Sequence, residues 1–338
     1  MSYKINFYYI FLLTLFIIFS HFIPFERVSL SPDDYSIMNQ FNGFNNFLKH
    51  PDRPLLYLFL ELLYFLFEDN VNIFFILLVL ANIINIVIIF FFYCLFFNKN
   101  TALIISLINS LLFLKLEVFH SSIMIHILVV SSIYILSLYY LINFFFEKKL
   151  YNYFISLILY VVCILWYEIG FFLPLILLFC KFDKDQFNLK QKIIFLIPFF
   201  VLMTFYILFR IYNSIFLNIG ETSYQLNFSI LAGFLDIFNH LIGRYAIKNI
   251  LYGFYQFINL PIILLLIFIS VNILISFMIL KFVRFTKIKF KHNFFFLLLF
   301  IFSLIPIIIN GESGGRNHII SSISLSYFIY LFINYFDS

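Results

Sequence analysis

From Val71 to Asn98 the chain runs through 28 consecutive residues without a charged side chain. As a helix, about 20 such residues match the roughly 30 Å hydrocarbon core of a bilayer. Runs of this kind recur, and they predict ten membrane spans near 5–23, 71–97, 101–116, 119–142, 151–166, 169–180, 193–212, 258–280, 294–310 and 319–335. Charged residues make up only 11% of the chain and hydrophobic ones 64%, whereas about a quarter of a soluble domain is charged. The expected fold is therefore all-α: a polytopic transmembrane helical bundle, one integral membrane domain over residues 1–338. The net charge of +5 does not point to nucleic acid, because the basic residues fall in short clusters between apolar runs, like loops beside anionic headgroups. Cys94, Cys163 and Cys180 sit in separate apolar runs without metal-ligand spacing and read as packing residues. The first run ends on Ile18-Phe19-Ser20-His21-Phe22, with no small-residue cleavage site, and reads as an anchored helix.

The distribution of Lys and Arg sets the expected orientation. With the N-terminus inside, 13 of the 21 basic residues fall on the inner side, in groups around Lys4, Lys99, Lys148, Lys181–Lys192 and Lys281–Lys291. That side holds only Glu147, Asp183, Asp185 and Asp337 of the 16 acids, as the positive-inside rule expects of a cytoplasmic face. Both termini are then cytoplasmic, and a bacterial inner membrane is the expected location. The scheme requires that Leu55–Phe67 does not cross: as a helix those 13 residues rise only about 20 Å. This segment is expected as a helix in the outer interface, opening at Asp52-Arg53-Pro54 with proline in its first turn. Before it, Ile37, Phe41, Phe44 and Leu48 recur at helical spacing among polar residues, suggesting a second surface helix. Two large exterior loops result, 24–70 and 213–257.

Candidate chemistry gathers on the exterior side. Ser31-Pro32-Asp33-Asp34 fits a helix start in which Asp34 reaches back to a cap amide, leaving Asp33 freer; capping and catalysis are both open for this pair. Asp236, His240, Arg244, Lys248 and Tyr252 fall four apart, so His240, Arg244 and Lys248 share a helix face that suits either a phosphate or headgroup-level solvent. The segment Gly311–His318 is glycine-rich and carries Arg316, readable as an anion site or as a plain turn. Glu117 ends one apolar run and Glu168 begins another, where a charge must find water, a partner or a function. His120 and His126 are six apart, about 240° around a helix, so they cannot share a face as metal ligands would.

In their order along the chain these features resemble GT-C-type membrane glycosyltransferases, especially those similar to protein O-mannosyltransferases. The resemblance lies in Asp33-Asp34-Tyr35 after the first span and in Arg53-Pro54-Leu55 opening a surface helix. That helix runs to a turn, Glu68-Asp69-Asn70, where the family often has glycine. Leu116-Glu117-Val118, Trp166-Tyr167-Glu168 with Pro174 following, and Arg316 at the head of the last span complete it. It covers most of residues 1–180 and a patch near 316, leaving 181–338 as a variable C-terminal half. It implies transfer of a sugar from a polyprenyl-phosphate donor to a glycan, lipid or protein acceptor at the exterior face. Asp33 or Asp34 would act as general base. Arg53, Glu117, His120, Glu168, His240, Arg244, Lys248, Arg316 and His318 would contact substrate, with inversion at the anomeric carbon. No cofactor is expected, and a divalent metal is not favoured. A lipid-linked glycan transporter or flippase, and a glycan polymerase or ligase of another membrane fold, are the alternatives. A transporter would place ionisable groups near mid-membrane and often has paired halves.

Overall fold

The computed structural model describes residues 9–11, 13–14, 53–68, 70–111, 125–167, 170–180, 182, 184–216, 290–310 and 320–336. Among these there are nine helices and no strand: α1 (Pro54–Phe67), α2 (Val71–Tyr93), α3 (Lys99–Leu111), α4 (Ile125–Glu147), α5 (Leu150–Trp166), α6 (Leu173–Phe179), α7 (Leu189–Phe216), α8 (Phe290–Asn310) and α9 (Ser321–Phe336). Among the described residues three segments are long and apolar enough to cross a membrane: Asn72–Tyr93, Ile125–Glu147 and Leu189–Phe209. Most of the expected span at 5–23, and all of that at 258–280, lie outside the described residues, as does the second surface helix around Ile37–Leu48. Of the expected loop 213–257, residues 213–216 still belong to α7 and the rest lies outside the described residues.

Polar residues between the runs start the helices. Asn70 accepts a hydrogen bond from the Ile73 amide at α2, and Asn98 from the Thr101 amide at α3, 2.9 Å away. At α7, Asn188 and Gln191 exchange side-chain and backbone bonds of 2.9 and 3.1 Å, a reciprocal capping box.

The outer faces are apolar. On α7, Ile193, Ile197, Val201, Phe205, Leu208 and Tyr212 are exposed in a stripe at helical spacing; Leu150, Phe154 and Ile158 form another on α5, and Ile76, Leu80 and Ile84 a third on α2. Such continuous apolar stripes belong against lipid rather than water. The polar residues of the spans point inward instead and join helices. Ser137 and Ser156 each donate to the other's carbonyl, at 2.9 and 2.8 Å, tying α4 to α5. The Asn85 amide reaches Ser131 and Ser132 of α4 at 2.7 and 2.9 Å, and that of Asn109 on α3 reaches Ser322 and Ser326 of α9 at 3.1 and 2.9 Å. In hydrocarbon, close packing of small residues and interhelical hydrogen bonds take over the role of the hydrophobic effect.

Side-chain contacts also fix which helix ends lie together. The end of α2 meets the start of α8 where Phe97 meets His292 edge to face, and the end of α4 meets the segment before α7 where Phe144 packs on Phe187. Lys148 lies over the Phe187 ring, Lys184 over Phe146, and Lys192 forms a buried 2.6 Å ion pair with Asp185. Lys99 and Lys190 open α3 and α7 at this same end. Tyr9 reaches it too, bonding Asn100. Lys149 pairs with Glu147 at 2.7 Å, and this hydrogen bond holds its ammonium above the usual lysine range.

Two sequence expectations change in detail. The run 71–97 stops being helical at Tyr93, after which backbone bonds from Leu95, Phe96 and Phe97 close a tight turn ahead of Asn98. The run 169–180 holds only the seven-residue α6, which rises about 10 Å and cannot cross by itself. The segment still travels the length of α5: the Phe171 carbonyl accepts from Tyr160, and the Cys180 carbonyl accepts from Lys192 beside Phe145. Turn, short helix and extended residues together cover the distance.

Candidate functional site at the end opposite the lysines

At the far end of the bundle α1 sits on the C-terminus of α5. Phe59 packs on Trp166 with ring centroids 4.9 Å apart, and the Arg53 guanidinium lies 4.6 Å from the centre of the Tyr167 ring. Residues six apart on α1 thus rest on neighbouring residues of α5. Helix α1 begins where the sequence predicts, with Arg53 as N-cap and Pro54 at its first position, and its 14 residues span about 20 Å. It ends at Glu68, whose φ of 50° and ψ of −131° belong to a conformation that glycine adopts without strain.

The exposed residues of α1 are all apolar, Leu58, Leu62, Phe65 and Leu66, while Arg53, Tyr57 and Glu61, four apart on one row, are buried at 8%, 8% and 4% exposure beside the buried Leu56, Leu60 and Leu63. In turning its charges inward α1 is inverted relative to a helix on a soluble protein, and its wholly apolar outer side suits lipid. His126, at the start of α4, is also buried, and its ring lies 6.3 Å from that of Tyr167. Tyr167 is therefore flanked by a guanidinium and an imidazole. Trp166 is nine-tenths buried, and among the described residues its indole N–H has no hydrogen-bond partner.

Arginine, glutamate and histidine gathered at one buried end of an apolar bundle are uncommon, and such a group of ionisable side chains is a candidate site. It offers a cation that binds oxyanions in a fork, a carboxylate, an imidazole able to donate or accept a proton, and an N–H donor.

Of the sequence candidates, Arg53 is within the described residues and belongs to this cluster. Asp33, Asp34, Glu117, His120, Glu168, His240, Arg244, Lys248, Arg316 and His318 lie outside them. Glu61 is not among the sequence candidates; His126 enters there only as a rejected metal partner of His120, and Trp166 only within the Trp166-Tyr167-Glu168 resemblance. The row Arg53-Tyr57-Glu61 at four-residue spacing was the available signal, masked by leucine and phenylalanine around the rest of α1. Cys163 and Cys180 are buried and Cys94 partly so, all unpaired thiols. The chain matches no protein-family model, no curated protein and no solved structure.

Proposed function

We propose that the protein is a ten-span membrane glycosyltransferase that moves a sugar from a polyprenyl-phosphate donor to an acceptor hydroxyl at the face opposite its lysine-rich end. In this reading the lysine end is cytoplasmic, together with both termini, the polar end is exterior, and the membrane is a bacterial inner membrane. The supporting observation is the inverted helix α1, with lipid-facing Leu58, Leu62, Phe65 and Leu66 on one side and buried Arg53, Tyr57 and Glu61 on the other. A lipid-linked donor needs that pairing, because its tail stays in hydrocarbon while its phosphate and sugar require polar partners at the same depth.

The acceptor oxygen attacks the anomeric carbon while Asp33 or Asp34 takes its proton, and the bond from that carbon to the phosphate oxygen breaks. Polyprenyl phosphate leaves with the electron pair. General-base assistance of this kind is worth about 10²–10⁴-fold. Cations stabilise the charge gathering on the departing phosphate, a role for Arg53 and, in this reading, for Arg244, Lys248 and Arg316. Phosphate is already a good leaving group, so a single displacement suffices, giving an inverted product.

The test is transfer from a panel of radiolabelled polyprenyl-phosphate sugars by membranes carrying the wild type, Asp33→Asn or Asp34→Asn. At least one variant loses transfer at normal protein abundance. Full activity in both removes the general-base assignment, and no transfer by the wild type from any donor removes the reaction.

A further inference from the structure

Trp166 is the only tryptophan in the chain. It stands at the polar end of a bundle in which Asn109, Ser137 and Ser156 find protein partners, whereas Asn82 and Ser324 have none among the described residues. Among the described residues the buried indole N–H has no partner either, although the ring packs against Phe59. An N–H donor held in low dielectric without an acceptor loses about 1–3 kcal/mol. The next residue, Tyr167, carries the Arg53 guanidinium on its ring. Donor and cation are thus presented on consecutive residues, beneath a helix whose outer side is apolar.

We infer that the Trp166 indole N–H and the Arg53 guanidinium together hold the phosphate of a lipid-linked ligand that reaches the site beside α1. This rests on the transferase reading and adds a residue and a ligand group to it. The ligand class follows from three features. The orphan group is a donor, so it takes an oxygen acceptor. Arg53 makes an anionic oxygen the best acceptor, since charge-assisted hydrogen bonds are about twice as strong as neutral ones. The lipid-facing Leu58 and Leu62, one turn apart on α1, give an acyl or prenyl tail a surface continuous with the bilayer.

Because the chain has a single tryptophan, its own emission reports the site. Purified wild-type protein is titrated with polyprenyl phosphate, with phosphatidylglycerol and with inorganic phosphate, while retention of radiolabelled polyprenyl phosphate is followed in parallel. Polyprenyl phosphate is expected to give a saturable red shift as the indole gains an acceptor; phosphatidylglycerol gives none, and inorganic phosphate only a weak one. Arg53→Gln moves the midpoint up by about tenfold, and Trp166→Phe, which keeps the ring, lowers the affinity for retained polyprenyl phosphate by about tenfold, the loss of one charge-assisted hydrogen bond.

Retention of polyprenyl phosphate with no change in emission overturns the inference and leaves the transferase reading standing. An equal shift with phosphatidylglycerol overturns it as well, assigning the site to bulk lipid headgroups. Absence of both retention and transfer for every polyprenyl-phosphate sugar overturns the transferase reading itself.

Discussion

The two ends of the bundle bury charge in different settings. At the lysine end Lys192 and Asp185 pair at 2.6 Å, Lys192 also donates to the Cys180 carbonyl at 2.8 Å, and the Phe182 amide donates to the same carboxylate oxygen at 2.8 Å. The rings of Phe145 and Phe182 close over the ammonium. Nearby, Phe96, Phe97, Phe295 and Phe296 stack with centroids 5.2 to 6.2 Å apart. The opposite end buries Arg53, Glu61 and His126 under a short helix that turns grease outward, leaves an indole donor unpartnered among the described residues and ends on a residue in a glycine conformation. Tightly paired charge locks a loop in place, whereas the other end gathers ionisable side chains beneath an apolar surface. In the proposed reading the lysine end is scaffold and the other end is site.

If this division is right, substitutions at the two ends fail differently. The largest loss of stability is expected from Lys192→Met, which strands Asp185 in a buried position; breaking one half of such a pair costs about 3–5 kcal/mol. Thermal unfolding in detergent measures it, and pairing it with Asp185→Leu recovers most of the loss. A Lys192→Met protein that melts like the wild type would show that the pair locks nothing.

Arg53→Gln should behave the other way. Withdrawing a charged donor from a developing phosphate slows transfer by about 10²-fold, while the melting temperature moves less than in Lys192→Met. Equal loss of abundance and activity would instead make Arg53 a structural residue.

The smallest effect is expected at Glu68. Its backbone conformation costs a residue with a side chain about 1–3 kcal/mol, so Glu68→Gly should raise stability by about 1 kcal/mol. No gain in a melting curve would mean that the Glu68 side chain offsets the strain.

Much of this architecture is written in the length of the apolar runs. The helices α2, α4 and α7 follow from stretches that only a span can use, and α1 follows from Arg53-Pro54 and a run too short to cross. What the runs conceal is inward detail. Residues 170–180 return along α5 as a broken segment, since a bundle interior accepts a turn and a seven-residue helix that lipid would not. The close approach there depends on Gly170, where a Cβ would come within 2.6 Å of the Cys163 sulfur.

Concerning the site, Arg53 was visible because proline beside it marks a helix start. Glu61 and Trp166 were not, because an isolated glutamate or tryptophan in an apolar stretch gives no indication of whether it faces lipid, a neighbouring helix or a hollow. Only the placement of α1 over Trp166 and Tyr167 distinguishes these. His126 was weighed against His120 as a metal pair and rejected on angle; its place beside Tyr167 comes from the start of α4.

The division between scaffold and site is tested most directly by sugar transfer from a radiolabelled polyprenyl-phosphate donor, measured on purified protein at matched amounts. The comparison is between Asp33→Asn, Asp34→Asn and the double variant Lys192→Met, Asp185→Leu. The account predicts that at least one aspartate variant is inactive while the double variant, folded and equally abundant, transfers sugar. Full transfer by both aspartate variants, or loss of transfer in a folded double variant, would contradict it.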